Sequence, residues 1–167
     1  HELYCLETSC RDAYTRFDFA SVTRSLIEFA TKTLSTLYYD SVKDTLYAGT
    51  SEDQLPILAA MNEILHTITC VLAPILPHLA EDLHWYRHGA TCDPTPEEVH
   101  SMPSFFQQGW HTVSDVWYDP SLEHHMQELL RIRSETFALA TRCKDEDRLI
   151  KGPAETDVAL YVPQTQA

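Results

Sequence analysis

The sequence predicts a mostly α-helical protein, an antiparallel helical bundle with one long loop and a short C-terminal strand. Apolar residues occupy 44% of the 167 positions and only four positions are glycine, a composition that suits long helices better than a turn-rich β-sandwich. Over long stretches the apolar residues recur every three or four positions, which is the period of an amphipathic helix. The length is near the commonest domain size and is sufficient to bury a core.

The apolar spacing predicts four main helices after a short helical segment at residues 1–15. They span residues 17–47, 54–72, 74–88 and 120–146. Asp18 suits the cap of the first helix, because its carboxylate can accept a hydrogen bond from a free backbone amide. Asp119 with Pro120 suits the start of the last helix, since proline has no backbone N–H that would need a partner there. Gly49 directly follows the first long helix and is expected to end it.

The helix at residues 54–72 is predicted to be the most buried. Between Gln54 and Ala80 the sole formal charge is Glu63, and apolar residues lie on two opposite faces, which is the pattern of a helix surrounded by others. The preceding Ser51–Gln54 segment has the form of a capping box. No stretch reaches 18 consecutive apolar residues, so we expect no membrane-spanning segment and no membrane partner.

Two segments fall outside this helical pattern. Residues 89–119 contain three prolines and no clean period, so we expect a long ordered loop whose aromatic side chains lie on the bundle. Residues 156–162 follow Gly152 and Pro153 and are predicted to form a short strand. We therefore divide the chain into a helical bundle at 1–152 and a strand or junction segment at 153–167, expected to lead to a further C-terminal part.

Neither a disulfide framework nor a metal site is expected. The five cysteines are odd in number and lack a repeating spacing, which favours reduced thiols. His84 and His88 are one helical turn apart, with Cys92 four residues later, a spacing that can bind zinc. Gly89 would break the helix before Cys92, and no second ligand pair follows at a finger spacing. Surface or loop-packing histidines are therefore the favoured interpretation.

Catalytic signatures are lacking in this sequence. It contains no Gly-x-Ser-x-Gly elbow, no phosphate-binding glycine-rich loop and no Gly-x-Gly-x-x-Gly segment. Asp40 and Asp44 are one turn apart with Lys43 beside them. Paired carboxylates can transfer protons, but an ion-paired helix face is the commoner reason for such a group. We expect no catalytic residues.

The net charge of −13 argues against a nucleic-acid partner until its distribution is considered. Residues 51–119 hold ten acidic side chains and one basic side chain. Residues 131–151 hold six basic side chains and four acidic ones. Basic side chains are thus concentrated on the first and last long helices. A charged helix face is usually only a solvated surface, but these two helices are where phosphates would be repelled least.

Several motifs, taken in order along the chain, point to a known family. Leu34, Ser35, Tyr38, Asp40, Lys43, Asp44, Leu46 and Tyr47 match the pattern Leu-Ser-x-x-Tyr-x-Asp-x-x-Lys-Asp-x-Leu-Tyr. Ala73–Leu76 reads Ala-Pro-Ile-Leu, and Ala80 with Glu81 follows it. Leu130 to Arg133 and Arg148 to Val158 supply the closing segments. Together they resemble the anticodon-binding domain of isoleucyl-tRNA synthetases of the bacterial and mitochondrial type.

This resemblance implies a helical domain that recognises the anticodon stem and loop of isoleucine tRNA in a class I synthetase. The family's catalytic signatures, His-x-Gly-His and Lys-Met-Ser-Lys-Ser, are absent, so the resemblance implies a non-catalytic fragment that holds no cofactor, with ATP used by a catalytic domain elsewhere. The implied partners are tRNA and the rest of a monomeric synthetase chain, in the mitochondrial matrix or the cytoplasm. The alternatives are a valyl-, leucyl- or methionyl-tRNA synthetase domain, or a helical protein–protein interaction module.

Two groups of site residues follow from the resemblance and the charge distribution together. The expected tRNA-binding residues are Arg24, Lys32, Arg131, Arg133, Arg142, Arg148 and Lys151. The expected structural motif is Asp40, Lys43, Asp44 and Tyr47, which would fix the end of the long helix against the last helix. Arg133 occupies a position in the apolar seam of the last helix, so it either pairs with Asp40 or Asp44, or holds phosphate or base edges.

Overall fold

The computed structural model describes residues 1–89, 95–145, 157–159 and 161. Its elements in chain order are α1 (Glu2–Thr15), α2 (Phe19–Glu28), a π-helix (Phe29–Tyr39), α3 (Asp40–Ala48), α4 (Ser51–Leu72), α5 (Pro77–Arg87), α6 (Pro96–Ser101), two 3₁₀ turns (Phe105–Gln108 and Asp115–Trp117) and α7 (Pro120–Asp145). They form two compact units, His1–Asp119 and Pro120–Ala167. The predicted helical class is confirmed.

The first long helical run begins where the sequence predicts, but its middle is not α-helical. Asp18 caps α2, with its carboxylate accepting the Ser21 amide at 3.1 Å. From Phe29 the backbone adopts a π-helix, in which the Thr36 hydroxyl donates to the Thr31 carbonyl at 2.7 Å, five residues back. Threonine hydroxyls compete for helix carbonyls in this way, and the wider turn buries Leu34 where an α-helical stripe would continue at Thr33.

Helix α1 packs along the core of the first unit. Its Leu3, Leu6, Cys10 and Ala13 are buried at spacings of three and four. They pack in one cluster with Val22, Leu26, Phe29, Leu34, Ile64, Val71 and Val113. The Tyr14 hydroxyl donates to the Val71 carbonyl at 2.6 Å. This contact fixes the end of α1 to α4, and burial raises the pKa of Tyr14 to about 12.

The prediction that both faces of the 54–72 helix are buried is wrong. Ile64, Cys70 and Val71 are buried, whereas Leu55, Leu58 and Leu65 on the other face are 64%, 49% and 39% exposed. The reason is that α1, α3 and α5 pack against α4 without covering the face that carries Leu55, Leu58 and Leu65. The helix also begins at residue 51 rather than 54, because Thr50 and Asp53 form the capping box one residue earlier than predicted.

By length and hydropathy, Ser51–Leu72 would be able to cross a membrane. A core helix of a soluble protein has the same properties, and this helix contributes Ile64 and Val71 to the core cluster with α1. Its first turn also carries Glu52 and Asp53. The C-terminal half of this helix therefore belongs to the core.

The predicted helix at 74–88 is shorter than expected. Residues 73–75 form a turn in which the Leu72 carbonyl accepts the amides of Ile75 and Leu76 at 2.9 and 2.8 Å. Helix α5 then starts with Pro77 in its first turn and ends before Gly89, whose φ is +89°. The turn occurs because proline cannot supply the amide that a continuous helix needs.

The 89–119 segment is not a structureless loop, since it contains α6 and both 3₁₀ turns. Its aromatic side chains do lie on the bundle, as predicted: Phe105 is buried and Trp110 packs against the core. The Trp110 indole donates to Glu7 Oε1 at 2.7 Å. Glu7 is 1% exposed, so this bond joins the loop to a buried carboxylate of α1.

In the second unit, α7 begins at Pro120 as predicted, and none of its residues is fully buried. Met126, Arg133, Thr136, Ala140 and Cys143 of the predicted seam are half-buried, while Leu122 and Leu129 are exposed. The strand predicted at 156–162 is not confirmed: residues 157–159 and 161 carry no regular structure, and the others lie outside the described residues.

Candidate nucleic-acid interface

The structure brings Arg24 and Lys32 to one shallow depression on the surface of the first unit. Its lining includes Ala20, Thr23, Arg24, Ile27, Glu28, Thr31 and Lys32. Lys32 Nζ lies 2.6 Å from Glu28 Oε1, and this hydrogen bond lowers the pKa of Glu28. Arg24 is exposed and forms no hydrogen bond or salt bridge with any residue that the structure describes. Arg24 is therefore the more available cation of the two.

On α7, Arg131 is paired with carboxylates and Arg142 is not, among the side chains that the structure describes, so these two arginines also differ in how available they are. Arg131 lies between two carboxylates, Glu128 at 3.1 Å and Glu135 at 2.8 Å, and all three side chains are more than half exposed. Its hydrogen bonds to Glu128 and Glu135 raise the pKa of Arg131. Arg142 is exposed and has no such partner within the described residues. A phosphate would have to displace carboxylates from Arg131 but not from Arg142.

Arg133 is half-buried, as its seam position predicts. Its guanidinium carbon lies 5.2 Å from the centre of the Phe137 ring, one helical turn away, which is a cation–π contact. The predicted pairing of Arg133 with Asp40 or Asp44 would join the two compact units, and it stays a prediction. Arg148 and Lys151 lie outside the described residues.

The predicted structural motif lies on α3, none of whose residues is buried. Lys43 Nζ bonds to Asp40 Oδ1 at 2.8 Å, with both side chains about half exposed. Asp40 raises the pKa of Lys43 through this bond. Asp44 is exposed, and the Tyr47 side chain is 86% exposed. The motif therefore presents polar and aromatic side chains to solvent.

Tyr39 lies beside this motif and is not among the predicted site residues. It is 39% exposed and precedes Lys43 by four residues and Tyr47 by eight. Residues four apart are neighbours on a helix surface, so Tyr39, Lys43 and Tyr47 lie in one row along the helix, with Lys43 between the two tyrosines in the sequence. The spacing alone could have identified this row.

The predicted loop-packing role of the histidines agrees with their surroundings. His84 is 4% exposed and lies 3.1 Å from Gln108 Nε2. The rings of His66 and His111 stack with their centres 4.2 Å apart, and His111 bonds to Glu63 at 2.7 Å. Burial lowers the pKa values of both His66 and His84. These side chains hold the 105–111 segment against α4 and α5.

No cluster of three or more metal-binding side chains occurs in the part of the chain that the structure describes. The rings of His84 and His88 are tilted by 53° with their centres 4.3 Å apart, and His88 Nδ1 lies 2.8 Å from the His84 carbonyl oxygen. Cys92, the third residue of the zinc-like spacing, lies outside the described residues.

Comparison with known proteins identifies relatives along nearly the whole chain. The family described as the anticodon-binding domain of tRNA ligase matches residues 1–154. The mitochondrial isoleucine–tRNA ligase of Mus musculus is 33% identical over 135 residues, which is 80% of this chain and 12% of that protein. The isoleucine–tRNA ligase of Thermosynechococcus vestitus is 29% identical over 168 residues, 99% of this chain and 17% of that protein. No solved structure gives a significant match.

Proposed function

The chain belongs to the family of anticodon-binding domains of tRNA ligases, and we propose that it binds the anticodon stem and loop of isoleucine tRNA. The observation that carries this proposal is the family match over residues 1–154. The choice of isoleucine rests on the relatives, which are isoleucine–tRNA ligases from a mammalian mitochondrion and from bacteria. The motif around Lys43 and Tyr47, which resembles that of isoleucyl-tRNA synthetases, points the same way.

The chain spans 12–17% of the length of these relatives. The proposal is therefore that a longer synthetase carries this domain, with ATP and amino-acid chemistry in its other parts. We propose that the domain itself holds no cofactor and acts as a monomer, in the mitochondrial matrix or the cytoplasm. The expected division of labour is that this domain positions the tRNA, and the reaction takes place elsewhere.

Affinity would come mainly from arginine and lysine contacts with phosphates, which fix position without reading sequence. Arg24, Lys32, Arg131 and Arg142 are all exposed on helices, and Arg133, Arg148 and Lys151 complete the proposed set. Residues 51–119, with ten acidic and one basic side chain, would repel the phosphates. The RNA is therefore expected to follow α2 and α7 rather than α4 and α5.

A helical protein–protein interaction module is the second candidate, and one observation favours it. Leu55, Leu58 and Leu65 leave an apolar face of α4 exposed, beside a strongly acidic stretch of chain. Scattered exposed leucines are common on soluble proteins, but a continuous face often marks an interaction site. The two candidates differ in their response to salt, because apolar contacts do not weaken steeply as ionic strength rises.

The test is a competition assay with labelled isoleucine tRNA at several salt concentrations. Unlabelled isoleucine, valine, leucine and methionine tRNAs serve as competitors. The proposal expects isoleucine tRNA to compete best and affinity to fall steeply with salt. Preference for another tRNA would reassign the domain to a sister synthetase. No tRNA binding at low salt would refute the proposal and favour the interaction module.

A further inference from the structure

Tyr47 is an exposed aromatic residue that the described fold does not bury. Its side chain is 86% exposed at the end of α3, with no ring contact and no hydrogen bond to any described residue. By contrast, Tyr14 and Tyr38 on neighbouring elements donate their hydroxyls to α4 carbonyls. A large ring left in solvent at a helix end is available to a ligand.

Asp44 provides a hydrogen-bond acceptor beside that ring. It precedes Tyr47 by three residues, so the two side chains are neighbours on the helix surface. Lys43 forms its salt bridge with Asp40 at 2.8 Å and not with Asp44. The Asp44 carboxylate forms no hydrogen bond or salt bridge within the described chain and interacts with Lys43 only through longer-range electrostatics. Its oxygens are thus free to accept hydrogen bonds from a ligand.

The charges around this pair restrict what the ligand can be. Asp40, Lys43 and Asp44 together give α3 a net charge of −1, so a phosphate is not favoured directly on Asp44. A neutral, flat group that donates hydrogen bonds at its edge fits both the tyrosine ring and the carboxylate. Unpaired bases of RNA loops have this chemistry, since they stack on aromatic side chains and expose their hydrogen-bonding edges.

We propose that Tyr47 and Asp44 form a binding site for one unpaired nucleobase that carries an exocyclic amino group. The base stacks on the Tyr47 ring, and its amino group donates to the Asp44 carboxylate, as cytosine does to acidic side chains in other complexes. Adenine, cytosine and guanine have such a group and uracil lacks it. The site deepens the proposed function and rests on it, because the tRNA loop supplies the base.

Tyr39 extends the site along the helix. It lies eight residues before Tyr47, about 12 Å away at the rise of an α-helix, with Lys43 between the two rings. The Tyr39 ring contacts Tyr38 at 5.9 Å between centres, which holds it in place. A second base can stack on Tyr39, and a phosphate between the two bases would contact the Lys43 ammonium in place of Asp40, its present partner at 2.8 Å.

The experiment measures binding of the 167-residue chain to RNA hairpins with one common stem and loops made only of adenosine, cytidine or uridine. The variants are Tyr47→Ala, Tyr47→Phe and Asp44→Ala, and Phe106→Ala is the matched control. Phe106 is 51% exposed but lies in the acidic 51–119 segment. Fluorescence anisotropy gives the affinities, and thermal melting checks that each variant is folded.

Tyr47→Ala is expected to weaken binding of the adenosine and cytidine hairpins by about tenfold, the loss of one stacked base. Tyr47→Phe should stay within about twofold of the wild type, since it keeps the stacking face. Asp44→Ala should remove the preference for these loops over uridine. Phe106→Ala should change neither property. The salt dependence should be the same for Tyr47→Ala and wild type, because no phosphate contact is lost.

Wild-type binding that is unaffected by Tyr47→Ala would overturn the site and leave the proposed function standing. A preference for adenosine and cytidine loops that survives Asp44→Ala would overturn the role of the carboxylate. A wild-type chain that binds none of the hairpins and no tRNA would refute the proposed function, and the site with it. The two failures are therefore distinguishable from one set of measurements.

Discussion

Neutralising Arg131 and Arg142 together, as Arg131→Gln with Arg142→Gln, should flatten the salt dependence of tRNA binding. The two residues are eleven positions apart, three turns of α7, so they face the same side about 16 Å apart along the helix. Each phosphate contact contributes about 0.9 to the slope of log affinity against log salt. The double variant should therefore lose about 1.8 units of slope.

This change of slope has a measurable consequence. Between about 50 and 200 mM salt, the wild-type affinity should fall about twelvefold more than that of the double variant. The structure also predicts an unequal split between the single variants. Arg142 has no carboxylate partner within the described chain, whereas Arg131 must first give up Glu128 and Glu135. Arg142→Gln should therefore lower affinity more than Arg131→Gln.

The assay is fluorescence anisotropy with labelled isoleucine tRNA at four salt concentrations. Arg87→Gln is the matched control, because Arg87 is an exposed arginine in the acidic 51–119 segment. It should leave the slope unchanged, and none of the variants should alter which tRNA is preferred. An unchanged slope in the double variant would show that the RNA does not contact this face of α7.

Three further predictions concern the fold. Asp40→Ala should lower the melting temperature slightly, because it removes the 2.8 Å pair with Lys43 on α3. An unchanged melting temperature together with weaker tRNA binding would contradict a structural role for Asp40. Trp110→Phe should lower the free energy of unfolding, measured by urea titration, by about 2 kcal/mol, because it leaves the buried Glu7 carboxylate without its 2.7 Å donor. A loss below about 0.5 kcal/mol would contradict this role of Trp110. Burial lowers the pKa values of His66 and His84. The charges of neighbouring side chains also shift these two pKa values, namely those of His111, Glu63, Glu81, His88 and Arg87. The neutral rings are favoured in the folded state, so stability should be full above about pH 6.5 and fall as the pH drops below it; urea midpoints that are equal at pH 7.5 and pH 5.5 would refute this.

The features that the sequence predicted correctly are those set by a few neighbouring residues. The Asp18 cap and the Pro120 start depend on backbone groups within one turn. The π-helix could not be predicted, because its threonine-to-carbonyl bonds compete with an equally plausible α-helical pattern. The end of α5 could be predicted from Gly89. Its start could not, because it depends on the turn around Pro74, in which the Leu72 carbonyl accepts the amides of Ile75 and Leu76.

The features that the sequence did not predict depend on packing between residues far apart in the chain. The exposed face of α4 resembles its buried face in sequence, and the placement of α1, α3 and α5 decides which face is covered. The bond between Glu7 and Trp110 joins residues 103 positions apart, and no local pattern indicates it. For the interface, the sequence supplied the basic residues and the α3 motif. It did not show that Arg131 is already paired or that the Tyr47 ring is in solvent.

Footprinting of isoleucine tRNA with the bound chain shows directly whether the chain binds the anticodon stem and loop. Hydroxyl radicals cleave exposed sugars, so protected positions mark where the protein lies on the RNA. We expect protection confined to the anticodon stem and loop, with the acceptor stem cleaved as in free tRNA. Protection of the acceptor stem, or no protection at concentrations that saturate binding, would contradict this expectation.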